Sequence, residues 1–221
     1  MQPQLAKEIL AKVKSDYNNI APHFSETRAY SWQEFEDFKQ YLKPGLDILD
    51  LGCGNGRFYE FLEPFKINYT GVDNSSGLLD EAVKKFPQAK FIIGDMLNVP
   101  IDNNQYDIVF SIASLHHIPS DELRLRAAKE IYRLLKKDGI LIMTNWNLFQ
   151  DKYKKLFGKK NLDNNDLLIP WKDQDGKKLA DRYYHAFTEK ELSELADKSG
   201  FIIKKQYLSE GEKNIVSIWK K

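Results

Sequence analysis

A chain of 221 residues with 33 basic and 32 acidic side chains can bury one good core, leaves little room for a second independent domain, and carries no charge excess that demands or excludes a nucleic-acid partner. Its single cysteine, Cys53, rules out an internal disulfide framework and fits a reducing compartment, where its place in a glycine-rich turn suggests a small buried residue rather than a reactive thiol. No apolar run approaches the ~20 residues that span a bilayer, and Met1 to Lys14 lacks the apolar centre of a secretory signal, so a cytoplasmic protein without membrane contact is expected.

In chain order, Leu5, Ile9, Leu10, Val13 and Tyr17 recur at helical spacing and predict a helix over about Gln4–Ile20. A second helix is predicted over Trp32–Tyr41, stopped by Lys43-Pro44-Gly45. Strands then follow at Asp47–Leu51, Tyr69–Asp73, Lys90–Ile93, Tyr106–Ser111 and Ile140–Asn145, separated by helices over Gly56–Phe65, Ser76–Phe86 and Ser120–Lys136. Apolar strands alternating with helices imply an α/β fold whose sheet is mostly parallel and covered by helices on both faces. From Asn147 to about Asp181 the chain is polar, lysine-rich and without clear periodicity, a long connection that reads as a functional lid or a disordered insert. Thr188 and Glu191 form a capping-box pattern for a helix running to Lys198 and closed by Gly200. Phe201–Tyr207 and Asn214–Trp219 then predict a C-terminal antiparallel hairpin turning at Ser209–Glu212.

The chemistry concentrates in Ile48-Leu49-Asp50-Leu51-Gly52-Cys53-Gly54-Asn55-Gly56 and in Tyr69-Thr70-Gly71-Val72-Asp73. Each is an apolar run ending in an acid, the layout of a nucleoside-binding βαβ unit in which the second carboxylate can accept from both ribose hydroxyls. The glycines read G-x-G-x-G rather than G-x-G-x-x-G, and Asp50 stands just before them. A carboxylate there repels a pyrophosphate and suits a cationic amino-acid end, so S-adenosylmethionine is the better match. The sequence resembles the class I methyltransferases, which implies a Rossmann-like sheet and a set of cofactor-binding residues. In that resemblance Asp50 orients the cofactor's ammonium over Gly52, Gly54, Asn55 and Gly56. Asp73 holds the ribose with Asn74 beside it, Asp95 and Met96 bracket adenine, and the segment Ser111 to His116 lies under the sulfonium.

More specific segments are Tyr17-x-x-Ile20-Ala21-Pro22-His23-Phe24-Ser25-Glu26-Thr27-Arg28, Ser111 to His117 with Arg124 to Ala127, Asn145-Trp146, and Arg182-Tyr183-Tyr184-His185-Ala186-Phe187. Together, from about Tyr17 to the C-terminus, these resemble the tRNA wobble-uridine carboxymethyl methyltransferases of eukaryotes and the methyltransferase domain of their animal AlkB-like relative. The resemblance implies esterification of a 5-carboxymethyluridine carboxylate in tRNA. It divides a single domain into an N-terminal helical cap (1–45), a cofactor-binding core (46–146), a substrate-facing insert (147–187) and a C-terminal helix and hairpin (188–221).

Arg28, Asn145, Arg182 and Tyr184 are the expected carboxylate clamp; the alternatives are surface ion pairs for the arginines and packing for the tyrosines. His116 is expected near the acceptor and His117 as a cap or core residue; no metal is expected, because no carboxylate or cysteine accompanies the pair at ligand spacing. Lys152, Lys154, Lys155, Lys159, Lys160, Lys172, Lys177 and Lys178, interleaved with Tyr153, Phe157 and Trp171, offer an RNA-binding strip, against which a solvated loop face is the plain alternative. Lys90–Ile93 should be an edge strand, open to a small activator protein of the kind the family uses. The rival readings are a small-molecule methyltransferase with a histidine base, and a fold used only as a binding scaffold.

Overall fold

In the computed structural model, which describes residues 1–27, 32–159 and 161–221, the order of strands sets the place where a ligand can bind. Helix α1 (Pro3–Thr27) and a 3-10 helix at Gln33–Tyr41 precede β1 (Asp47–Leu51), α2 (Arg57–Leu62), β2 (Asn68–Asp73), α3 (Ser76–Lys85) and β3 (Lys90–Ile93). Then come β4 (Tyr106–Ile112), α4 (Asp121–Leu134), β5 (Leu135–Trp146), β6 (Asp166–Lys172), β7 (Lys178–His185), α5 (Glu189–Ser199), β8 (Ile202–Leu208) and β9 (Asn214–Lys220). The main sheet has the order β3-β2-β1-β4-β5-β9-β8, parallel from β3 to β5 and closed by β9 antiparallel to both its neighbours. The order reverses between β1 and β4, and the carboxyl ends of those strands frame the crevice that open α/β sheets use for ligands.

Alternation along the central strands splits the core in two. Leu49, Val109, Leu141 and Met143 face one layer with Ala127, Ile131 and Leu192 of α4 and α5. Ile48, Ile108, Phe110 and Ile142 face the other, with Phe35, Phe38 and Phe58. This period of two with both faces buried is what a covered parallel sheet requires. β3 lies at one edge, as its place in the chain predicts. At the other end of the fold Thr188 and Glu191 form the expected capping box, and Gly200 closes α5 in the left-handed region at φ 89°.

Three boundaries differ from expectation. α1 does not stop near Ile20 but runs through Pro22 to Thr27. Proline in a helix interior leaves the carbonyl of the residue four before it without an amide, yet here Ile20 and Ala21 immediately before it are buried, and packing carries the helix across. α4 ends at Leu134 and β5 begins at once, with Asp138 at φ 66° and a register shift between Tyr106 and Ile108 accommodating the Lys-Lys-Asp-Gly segment. The insert is neither featureless nor a mere loop. It contains a 3-10 turn (Asp151–Leu156) and the antiparallel hairpin β6–β7, whose turn is tied by Asp173 Oδ1 accepting from the amides of Asp175 and Lys177.

Candidate active site

The carboxyl ends of β1, β2 and β4, the face of α1 and strand β7 of the hairpin line one cavity, partly open to solvent. On one side the glycine turn is shaped by close approach. Gly52, at φ 82°, donates its amide to Val72 O at 2.7 Å, and a Cβ there would stand 2.6 Å from Ser114 Oγ. Gly54, at φ 55°, is open instead: a Cβ would meet nothing nearer than Leu78 at 3.9 Å, so its backbone is bared toward the cavity. Asp73 ties the turn to β2, taking the Gly54 amide on one oxygen at 2.8 Å and the Ser75 amide on the other at 2.9 Å. Burial raises its pKa, while those amides and that of Asn74 hold it down.

Asp50 is only 1% exposed. Tyr69 donates its hydroxyl to Oδ2 at 3.0 Å, and Oδ1 has no partner among the described residues. Burial pushes this acid up to about 7, with the Tyr69 bond opposing. An acid oxygen so placed beside a cavity suits a cationic ligand group, which would supply both the missing partner and the missing charge. Met96 packs behind Gly52, and Asp95 caps its own turn by accepting from the Leu97 amide at 2.8 Å.

The opposite wall holds the reverse charge. Arg182, on β7, is 4% exposed and lies among the rings of Trp171 (4.5 Å), Tyr184 (5.2 Å), Tyr17 (6.0 Å) and Trp146 (6.0 Å). Among the described residues no carboxylate pairs with it, and its Nε–H has no acceptor. An unpaired buried cation costs several kcal/mol, so a site of this kind is completed by an anion. His116 and His117 sit in the 3-10 turn Leu115–His117 and touch Tyr184, at 5.0 and 4.4 Å between ring centres. Burial lowers both histidines, His117 to about 3, so both rings are neutral at physiological pH.

Residues 49–143 match the family described as a methyltransferase domain. A solved S-adenosylmethionine-dependent methyltransferase from Methanosarcina mazei has 22% identity, covers 86% of this chain and 98% of its own, and superposes with a TM-score of 0.72, a likeness of fold. The chain is 32% identical over 202 residues, 83% of its length and 86% of the relative's, to the tRNA (carboxymethyluridine(34)-5-O)-methyltransferase of Schizosaccharomyces pombe. The chain belongs to the tRNA carboxymethyluridine methyltransferase family. It is an S-adenosylmethionine-dependent methyltransferase. A relative from Xenopus tropicalis bearing the same enzyme name is 28% identical, and there this methyltransferase matches 94% of itself to 40% of a longer chain.

In this methyltransferase Asp50, Gly52, Gly54, Asn55, Asp73, Asn74, Asp95 and Met96 line the one cavity together with His116, Arg182 and Tyr184. Other expected site residues are placed elsewhere. Gly56, at φ 74°, starts α2 and is a packing glycine, since a Cβ there would press on Phe91, Phe86 and Ala82 at 3.0–3.3 Å. Ser111 is fully buried behind the wall, its hydroxyl 3.1 Å from that of Ser114. Asn145 is buried at the end of β5, neither of its side-chain polar atoms has a partner among the described residues, and it does not line the cavity. Arg28 lies outside the described residues, as does Lys160. Trp171, expected to stack on RNA bases, is instead buried against His23, Phe24 and Arg182.

On α1, Leu10, Val13, Tyr17 and Phe24 also line the cavity, none of them named beforehand as a site residue. All but Phe24 belong to the apolar stripe read as the helix's buried face; that stripe covers the cavity. His117, taken for a cap or core residue, is buried in a polar chain described below. Cys53 also lines the cavity, where burial pushes its thiol up and keeps it protonated. Among the described residues no group of three or more His, Cys, Asp or Glu side chains is arranged to hold a metal, and no helix is long and apolar enough to cross a membrane.

Proposed function

We propose that this methyltransferase esterifies the carboxylate of a 5-carboxymethyl group on the wobble uridine of tRNA. The observation that carries the reading is Arg182, a buried guanidinium with no carboxylate partner among the described residues, lining the same cavity as Asp50 and Asp73. The relatives' names supply the identity of the anion. In this reading Asp50 takes the cofactor's ammonium, the Gly52–Asn55 turn passes beneath it, Asp73 and Asn74 hold the ribose, and Asp95 and Met96 flank the adenine. Arg182 and Tyr184 hold the acceptor, with His116 on the same wall; Arg28 and Asn145 remain candidates for that clamp.

When bound, the cofactor supplies an electrophilic methyl group on a sulfonium. The chain's own task is alignment. A carboxylate with a pKa near ~4 is ionised at neutral pH and needs no base. Neither buried histidine is suited to be one, because their pKa values lie far below neutrality. Arg182 can hold a carboxylate oxygen on its unpartnered Nε edge without transferring a proton. The apolar face of α1 keeps water from the reacting groups.

The insert is the RNA-facing segment in this reading. Lys155 and Lys159 are exposed there, Lys152 lies over Tyr153, and Lys154 pairs with Asp151. The free edge of β3, with Ile93 about half exposed, offers a strand for an activator protein to extend. The division into cap (1–45), core (46–146), insert (147–187) and C-terminal hairpin unit (188–221), and a cytoplasmic location, belong to the same reading.

The test is nucleoside mass spectrometry on tRNA from cells lacking the wobble-uridine methyl ester, after incubation with purified protein and methyl-labelled S-adenosylmethionine. Label in the methyl ester of 5-carboxymethyluridine is the expected result. Label absent both alone and with an added activator, despite cofactor binding, would sink the tRNA reading. Transfer to a small carboxylate would then be sought.

A further inference from the structure

Arg182 is held from behind by a chain of hydrogen bonds with a fixed direction. His117 Nδ1 lies 2.8 Å from the Tyr183 carbonyl oxygen, and His117 Nε2 lies 2.8 Å from the Tyr17 hydroxyl. A carbonyl only accepts, so Nδ1 carries the ring proton and Nε2 of the neutral ring is an acceptor. Tyr17 therefore donates to His117, and its lone pairs are turned to Arg182, whose Nη1 donates to it at 3.3 Å. The chain runs from guanidinium to hydroxyl to imidazole to the backbone of β7. A protonated His117 could not accept from Tyr17 and would add a cation beside Arg182; burial prevents this by holding its pKa at about 3.

A second prop comes from the same helix. Trp171 donates its indole N–H to His23 Nδ1 at 2.8 Å, which sets the indole ring 4.5 Å from the guanidinium carbon. α1 is in turn keyed to the cofactor side. Asn18, next to Tyr17, accepts from Ser75 Oγ at 2.8 Å and from the Gly77 amide at 3.0 Å, at the start of α3 directly after Asp73. Two distinctive stretches of the sequence, one beginning at Tyr17 and the other at Arg182, thus meet at a single guanidinium.

We infer that Tyr17 is a positioning residue for the methyl acceptor: its hydroxyl, oriented by His117, engages one end of the Arg182 fork so that the Nε edge is presented to an acceptor carboxylate. This deepens the proposed function and rests on it, because it names what selects the charged acceptor within that site. A guanidinium left to rotate would still attract an anion but would lose the planar two-point match that separates a carboxylate from its neutral amide.

The test compares an anticodon stem-loop RNA carrying 5-carboxymethyluridine with the same RNA carrying 5-carbamoylmethyluridine, in the presence of S-adenosylhomocysteine. Wild-type protein is expected to prefer the acid by at least about tenfold, the scale of a charge-assisted hydrogen bond. Tyr17→Phe removes only the hydroxyl and is expected to shrink that preference about tenfold while cofactor affinity and melting temperature hold. His117→Ala, which keeps Tyr17 but removes its acceptor, should shift the preference in the same direction by less. In an Arg182→Ala background Tyr17→Phe should have no further effect, since the hydroxyl acts through the guanidinium. An undiminished preference in Tyr17→Phe, or an equal loss with Arg182 already removed, overturns the role of Tyr17 alone. No acid preference in the wild type overturns the carboxylate reading itself, and this inference with it.

Discussion

The cavity's two halves confront the same problem, a buried charge, and are built in opposite ways. On the proposed cofactor side, Asp50 and Asp73 sit at the ends of adjacent strands, and the bonds that set them come from Tyr69, Gly54 and Ser75 within the same βαβ unit. On the proposed acceptor side, Arg182 is caged by residues from α1, from the end of β5 and from both strands of the insert hairpin. One half is local and could be read as a motif. The other is assembled from remote segments, and each of its residues taken alone looks like packing.

Loss of the local anchor should have the largest effect. Asp73→Ala removes the acceptor of the Gly54 amide as well as the proposed ribose contacts. S-adenosylmethionine affinity measured by calorimetry should fall about 1000-fold, roughly 4 kcal/mol for several charge-assisted hydrogen bonds lost together. Arg182→Ala should leave cofactor affinity within about twofold yet lower kcat/KM for a carboxymethyluridine RNA about 100-fold, roughly 3 kcal/mol. Arg182→Lys, which keeps charge but not the fork, should fall between. Should Arg182→Ala instead weaken the cofactor as much as the acceptor, the two halves are not separate in function.

What the sequence disclosed follows the same division. Asp50, Gly52, Gly54 and Asp73 were legible as cavity residues because turn geometry and strand-end position constrain residue type within a short window. Gly56 completed the same pattern but serves packing, since a glycine needed for a helix start looks identical in sequence to one beneath a ligand. The mostly parallel sheet with Lys90–Ile93 at its edge followed from strand–helix alternation, while the length of α1 did not, because Pro22 is a stop signal that tertiary burial overrode. The hairpin β6–β7 was hidden by lysines at its turn, although Leu167, Ile169 and Trp171 alternate along one strand opposite Tyr184, Arg182 and Ala180 on the other. Nothing in local pattern could pair Tyr17 with His117 or Arg182; only the fold brings them within a hydrogen bond.

The charge difference between the halves gives them different pH responses. Burial raises folded Asp50 from an ordinary 3.8 to about 7, so the folded protein without cofactor binds this proton more tightly than the unfolded chain does. The sign is therefore destabilising: as pH climbs from 3.8 toward about 7 the unfolded chain ionises this acid while the folded protein keeps it protonated, and stability from this group is lost. A cationic ligand that needs the ionised form reverses the trend. Cofactor affinity should fall by up to about tenfold per pH unit below about 7, and Asp50→Asn should abolish that slope. Acceptor binding to Arg182 has no matching group, since the histidines beside it are already neutral. A cofactor affinity independent of pH between 5 and 8 would place the ammonium away from Asp50.

The smallest effect serves as the control on all three. Thr188 caps α5 six residues after Arg182 in the chain, its hydroxyl accepting from the Glu191 amide at 3.1 Å while the Glu191 carboxylate accepts from the Thr188 amide at 2.7 Å. Thr188→Ala should cost about 1 kcal/mol in urea unfolding, the usual worth of an N-cap. It should move neither cofactor affinity nor acceptor preference, because no bond of the capping box reaches α1 or the glycine turn. Glu191 has a second contact, however: its Oε1 lies 3.6 Å from His185 Nε2, and His185 Nδ1 is bonded to Asp166 at the base of the insert hairpin. A change in acceptor preference with cofactor affinity intact would show that α5 helps to seat that hairpin, and would extend the remote assembly of the acceptor half to the C-terminal end of the chain.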